Sequence, residues 1–324
     1  MPASRGIPPN NEGDNAVTRL IICFVLGAFL SQPLLAQESP SPGSLKTIRV
    51  NGVELHYLDQ GTGVPVIFVH GGLEDYRAWL PQMGAFSEHY RTIAYSRRHN
   101  YPNSSVKLGT DYSAIVDAED LAALIQTLKL GPAHIVGVSY GAYVALFLAA
   151  RHPRLVRSLV LSEPPILRWL PELEGGKPLY IDLMTKLWEP TTRSFREGDE
   201  AGVKAAIDGF GELGYSGTSE KMTFATLPRD VQMLLLSNAT EWRALTMSKD
   251  AFPELPFNTV RQIKAPTLLL SGQRSLALHA AIDRQLQSLL IQNERIVLEN
   301  ATHEMWNEYP EVCRKATLAF LARH

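Results

Sequence analysis

The sequence predicts an α/β fold: a mostly parallel eight-stranded sheet flanked by helices, with a helical lid inserted late in the chain. Three observations predict it. Short runs rich in Val, Ile and Leu recur without the polar alternation of a strand that has one wet face, so these strands are buried on both faces. Segments of helical periodicity separate them, and strands alternating with helices at this spacing need right-handed crossovers and a parallel sheet. Between residues 166 and 258 the rhythm stops, and helix-period segments run on with no convincing buried strand.

The first two strands, residues 47–52 and 53–58, alternate around Asn51-Gly52, the local signature of a β-hairpin. Residues 64–69 form a continuous apolar strand that ends in His70-Gly71-Gly72. A helix over 77–89 follows, then a strand over 92–95 with Arg97 and Arg98 at its end. Residues 113–125 have helical periodicity, and Gly131-Pro132 stops them. The fifth strand is 134–138, and an unbroken apolar run of helical length begins just after Ser139. The sixth strand, 157–162, is closed by Glu163-Pro164-Pro165. Within the lid, helices are expected over 180–188 and 230–245, with Gly-rich joints at Gly175-Gly176 and at 211–217. A strand over 266–272, a helix near 276–290, a strand over 295–298 and a helix over 311–322 complete the chain. The α/β core is thus expected from 46–165 and 259–324, with the lid at 166–258.

Composition bounds the reading. A chain of 324 residues with 45% hydrophobic and 20% charged residues is an ordinary globular protein able to bury a sizeable core. The formal net charge of −2 comes without a basic block or stripe, which excludes a nucleic-acid partner on electrostatic grounds. Nothing in the composition fixes an oligomeric state.

The N-terminus reads separately from the fold. Residues 1–19 are polar and carry Arg5 and Arg19, residues 20–30 are apolar, and Pro33 and Ala36 follow, the layout of a secretory signal peptide cleaved after Ala36. The apolar run is short for a membrane span, so the mature chain is expected to lack one, with an uncleaved signal anchor as the rival reading. Residues 37–45 read as a flexible leader, and the expected location is secreted or periplasmic. Cys23 falls in the signal and leaves Cys313 alone, so neither an intrachain disulfide nor a cysteine metal cluster is expected.

The chemistry centres on Gly137-Val138-Ser139-Tyr140-Gly141. The five-residue pattern is weak alone, but an apolar strand before it and an apolar helix after it place Ser139 on a sharp strand-to-helix turn, where side chains at Gly137 and Gly141 would collide with neighbouring backbone. His70-Gly71-Gly72 after the third strand, this elbow after the fifth, and Thr302-His303-Glu304 after the last, in that order, resemble the α/β-hydrolase superfamily over roughly residues 46–324.

The resemblance implies a serine nucleophile, Ser139, with His303 as its base. His56 and His134 sit on strands, His152 caps a helix before Pro153, and His70 belongs to the oxyanion turn. Many relatives carry the triad acid in a Gly-x-x-Asp turn after the strand at 266–271. Here that turn reads Gly272-Gln273-Arg274-Ser275, with no carboxylate. A smaller group, including some lactone hydrolases, places the acid after the strand that follows the elbow helix, which implies Glu163, with Asp283 as the alternative. The implied oxyanion donors are the backbone N–H groups of Tyr140 and Gly72, with Leu73 as the fallback. Leu73, Trp188 and Trp242 are expected to contact substrate, and Trp169, Tyr180 and Met184 are further lid candidates against a core role. Arg97 and Arg98 follow a strand at the functional end of the sheet, where they serve either a substrate carboxylate or a surface salt bridge.

The function these residues imply is a serine hydrolase cleaving a small-molecule carboxylic ester or lactone, with no cofactor and no metal. The alternatives are a carbon–carbon bond hydrolase or amidase on the same scaffold, or a receptor that binds without turnover.

Overall fold

The computed structural model describes residues 44–103, 107–215 and 221–324; the expected signal peptide, and residues 37–43 of the leader, lie outside the described residues. Eight strands form one sheet: β1 (Lys46–Val50), β2 (Val53–Gln60), β3 (Pro65–Val69), β4 (Arg91–Tyr95), β5 (Ala133–Val138), β6 (Val156–Ser162), β7 (Thr267–Gly272) and β8 (Asn293–Leu298). Their order is β1-β2-β4-β3-β5-β6-β7-β8, with β2 antiparallel to β1 and β4 and every later pair parallel. The sheet is therefore the predicted one. Asn51 and Gly52 turn the opening hairpin in the left-handed region, at φ 45° and 80°, as an Asn-Gly turn requires.

Helices cover both faces. Alternate residues of β3 divide between two cores, Ile67 and Val69 on one side and Val66 and Phe68 on the other, which is the period-two consequence of the pleat. The second face packs against α1 (Leu80–Ser87), through Met83 and Phe86. The first packs against α2 (Ala114–Thr127) and α3 (Tyr140–Arg151), the apolar helix that leaves the elbow.

Between β6 and β7 the chain is helical: α4 (Gly176–Leu183), α5 (Glu189–Ser194), α6 (Asp199–Glu212), α7 (Arg229–Ser237), α8 (Ala239–Met247) and the short α9 (Phe257–Val260). After β7 come α10 (Ala277–Leu289) on the first face, then α11 (Met305–Glu308) and α12 (Pro310–Leu321), which buries Cys313 on the second.

Several boundaries differ from those expected, each for a local reason. The segment expected to be a helix over 77–89 opens as a 3-10 turn, Tyr76–Trp79, because the Asp75 side chain accepts the Arg77 N–H and sets a tight start. The helix expected over 180–188 is α4 followed by a π-helical turn, Met184–Trp188, that runs into α5 with a proline in its first turn. The helix expected over 230–245 breaks at Asn238, whose buried amide accepts from the Tyr101 N–H at 2.9 Å and donates to Asp75 Oδ2 at 2.8 Å. Gly211 belongs to α6 and not to a joint; a Cβ there would lie 1.9 Å from the Met222 carbonyl oxygen. Among the described residues no helix is long and apolar enough to cross a membrane.

Candidate active site

β5 is paired on both sides and buried, so the chain that leaves it must turn abruptly at the sheet's carboxyl end to start α3. Ser139 makes that turn at φ 49° and ψ −122°, a conformation costly for any residue with a side chain. The glycines around it permit the turn. A Cβ at Gly141 would sit 2.2 Å from the Val69 carbonyl oxygen, and one at Gly137 would sit 2.7 Å from that of Gly141. The Ser139 N–H is anchored on the Ser162 carbonyl at 2.7 Å, which leaves the side chain at the floor of a cavity of about 1010 Å³.

His303 lines the same cavity from the loop after β8. Glu308 holds that loop onto α11, accepting from the Thr302 N–H at 2.7 Å and from its hydroxyl at 2.8 Å. Behind the ring, His303 Nδ1 meets Glu163 Oε2 at 2.5 Å, while Glu163 Oε1 accepts the Gly272 N–H at 2.7 Å. Gly272 lets the 301–302 backbone come this close, since a Cβ there would lie 2.5 Å from the Thr302 carbonyl oxygen. Glu163 itself turns at φ 50°, and with Ser139 and Leu73, at φ 57°, it makes three non-glycine residues of the site with positive φ.

Electrostatics separates the two partners. Burial opposes charge on Glu163, but the hydrogen bond to His303 holds its carboxyl down to about 2. Burial likewise opposes charge on His303, yet the bond to Glu163 and the carboxylates of Glu163, Glu304 and Glu74 raise it above the ordinary histidine range. An ionised carboxylate only accepts, so Nδ1 carries the proton and Nε2 is left as an acceptor.

The other carboxylate considered from sequence, Asp283, is turned elsewhere: its Oδ2 accepts the Ser271 hydroxyl at 2.5 Å. Burial and the Glu163 charge push its carboxyl up to about 7. His279 was not anticipated. Its ring stacks on that of His303 at 4.4 Å and 21°, and burial beside His303 lowers it to about 3, so it faces the base as a neutral ring. A helix residue 24 positions from His303 carries no sequence signal for such a contact. Glu163, His279 and His303 also form the one group of donor atoms within 4.8 Å of each other among the described residues, but two of those atoms are already joined by the 2.5 Å hydrogen bond.

The turn after β3 is held by α8 as well as by its own residues. The Gly71 N–H donates to Glu74 Oε2 at 2.7 Å and the Leu73 N–H to Glu241 Oε2 at 2.8 Å, so the fallback donor, Leu73, is occupied. Among the described residues the Gly72 N–H has no hydrogen-bond partner, and the Tyr140 N–H opens α3, where no intrahelical acceptor is available. Both residues line the cavity, as does the Leu73 side chain.

Arg97 is neither a surface pair nor a ligand for substrate. It is fully buried, bound to Asp117 at 2.7 Å, to Glu241, to the Gly71 carbonyl at 2.8 Å and to the Tyr112 hydroxyl at 3.1 Å. Its own N–H donates to His70 Nε2 at 3.0 Å, and His70 Nδ1 is 2.9 Å from the Gly71 carbonyl, which makes His70 a strut of the turn. Arg98 grips Asp120 with two hydrogen bonds.

Trp188 and Trp242 line the cavity and approach each other at 6.2 Å. Trp169 does not join them: its Nε1 donates to the Leu255 carbonyl at 2.7 Å inside the core, and Tyr180 and Met184 pack against that core.

Comparison with known proteins agrees with the fold. A family model described as the alpha/beta hydrolase fold matches residues 64–306. A 2-(acetamidomethylene)succinate hydrolase of Mesorhizobium japonicum is 27% identical over 284 residues, 85% of this chain and 94% of the relative. A 2-hydroxy-6-oxo-6-(2'-aminophenyl)hexa-2,4-dienoic acid hydrolase of Metapseudomonas resinovorans is 26% identical over 297 residues, 89% of this chain and 94% of the relative. Among solved structures, a carboxylesterase from Bacillus subtilis is similar in fold with a TM-score of 0.68 at 20% identity, covering 88% of this chain and 94% of that one.

Proposed function

The chain belongs to the alpha/beta hydrolase fold family, and from that premise we propose that it is a serine hydrolase acting on a carboxylic ester or lactone. The observation that carries the proposal is the Glu163–His303 hydrogen bond behind a strained Ser139 that lines the same cavity as the His303 ring. Ser139 attacks the carbonyl carbon, and His303 Nε2 takes its proton. The oxygen that becomes negative is held by the N–H groups of Gly72 and Tyr140. Glu163 keeps the proton on Nδ1 and stabilises the imidazolium, which then returns the first proton to the leaving alkoxide. Water, activated by His303 in turn, releases the acid.

An alkoxide leaving group asks for nothing beyond that single proton, which favours esters and lactones. A second reading is favoured by the Metapseudomonas relative, whose named substrate contains no ester, so that its hydrolysis breaks a carbon–carbon bond. Product analysis from matched ester, amide and diketone substrates separates the two. The first test is Ser139→Ala on activated short-chain esters: loss of nearly all turnover is expected, and a variant with full activity overturns the proposal. Export is proposed on the N-terminal signal pattern alone, and sequencing the mature N-terminus, expected at Gln37, tests it.

A further inference from the structure

The charges around the cavity are lopsided. Among the described residues that line it, Arg77 is the one lysine or arginine, and Asp75 holds it through two side-chain hydrogen bonds at 2.7 and 2.6 Å. The two arginines at the carboxyl end of β4 are spent as well, Arg97 on Asp117 and Glu241, and Arg98 on Asp120. Against this the wall carries Glu74, beside Gly71, and Glu304, the neighbour of His303. Glu304 is held in place by the Tyr215 hydroxyl at 2.8 Å and the Asn307 amide at 2.9 Å. Burial, with the charge of Glu304, raises the Glu74 carboxyl to about 7, so above neutrality it is anionic.

The polar atoms of lining residues that lack partners are of a different kind. Trp79 Nε1, Gln82 Oε1, Trp242 Nε1 and His279 Nδ1 are buried, unpaired and uncharged. His279 lies against the His303 ring, and Trp242 lies against the Gly72 turn. Trp242 is 8% exposed, and its Nε1 lies 2.9 Å from where a Cβ on Gly72 would stand, closer than any other atom of the indole. That donor lies over the turn that offers the Gly72 N–H.

We propose that the cavity takes substrates without a carboxylate, uncharged esters or lactones whose oxygen is met by the Trp242 N–H beside Gly72, and that Glu74 and Glu304 turn anionic substrates away. A carboxylate brought next to these groups meets like charge in a desolvated wall that, among the described residues, has no free lysine or arginine to receive it, whereas a neutral carbonyl satisfies an orphaned donor. The inference rests on Ser139 being the nucleophile, and it separates this chain from the two acid-named relatives.

The test uses three p-nitrophenyl esters of one chain length, from hexanoic acid, 6-aminohexanoic acid and adipic acid, the last with a free carboxylate. At pH 8 the adipate ester is expected to show kcat/KM about 100-fold below the hexanoate ester. In the Glu74→Gln/Glu304→Gln double variant the ratio is expected to fall below about tenfold; taking a ratio within one variant cancels any general loss of activity. Equal rates on the hexanoate and adipate esters overturn the proposal, as does a ratio unchanged by the double variant. Trp242→Phe keeps the ring and removes the donor, so kcat on the hexanoate ester is expected to drop about 100-fold with little change in KM, and wild-type kcat overturns that part. If none of the esters turns over, the nucleophile reading has failed. Calorimetric binding of hexanamide against adipate monoamide still decides the charge preference, tighter adipate monoamide being the overturning result.

Discussion

Glu163 Oε2 and His303 Nδ1 lie 2.5 Å apart although 140 residues separate them in the chain. The carboxylate reaches the imidazole from the end of β6, not from the turn after β7, and its second oxygen is fixed by the Gly272 N–H of that turn. The backbone of a turn that carries no carboxylate of its own thus holds the carboxylate that meets His303.

Replacing Glu163 by Gln keeps the size of the side chain but lets His303 take the wrong tautomer. kcat/KM on an activated ester is expected to fall about 10³–10⁴-fold. Asp283→Asn, which touches Ser271 and not His303, is expected to stay within about twofold of wild type. Steady-state kinetics of the two variants side by side checks the ranking, and the reverse order assigns the acid to Asp283.

The pH profile follows from the same pair. His303 acts as base only when neutral, and its pKa is raised above the ordinary 6.5, so activity should be lost as pH falls through a midpoint above 6.5. Glu163→Gln removes the carboxylate that does most to raise it, and the acid limb of the residual kcat/KM should move to lower pH. A limb that stays in place or moves upward contradicts this source of the shift.

Asp283 makes a separate prediction about stability. Its folded-state pKa of about 7 lies above the unfolded value of 3.8, so the folded chain binds the extra proton in between and stability falls as pH rises through that window. Asp283→Asn should therefore lose less stability than wild type between pH 5 and pH 8. Urea unfolding midpoints at the two pH values measure it.

Arg97 is a case of a buried charge that cannot be removed singly. Arg97→Met leaves Asp117 and Glu241 facing each other without their cation, and should cost about 3–5 kcal/mol in chemical denaturation. Arg98→Met, at a site with 17% side-chain exposure and one partner, should cost clearly less.

The sheet was readable in the sequence because strands buried on both faces leave uninterrupted apolar runs, and the elbow because only glycine fits where the backbones of β3 and α3 nearly touch. The helices between β6 and β7 were readable as a region but not in their joints. Asn238, where α7 and α8 part, breaks the helix because Tyr101 and Asp75, remote in sequence, need its amide, and no local pattern records that. The stacked His279 and the Arg97–Glu241 pair were hidden for the same reason: each contact is made between elements whose spacing along the chain is arbitrary.

The hydrogen bond from the Leu73 N–H to Glu241 has a consequence for recombination. Helical insertions between β6 and β7 invite exchange as cassettes, with the sheet kept constant. Here α8 supplies the acceptor that shapes the turn after β3 and the counter-ion of a buried arginine in the sheet layer. A transplanted segment would therefore need a glutamate at the place of Glu241, or a host already stripped of Arg97, before it could be accepted as a working part.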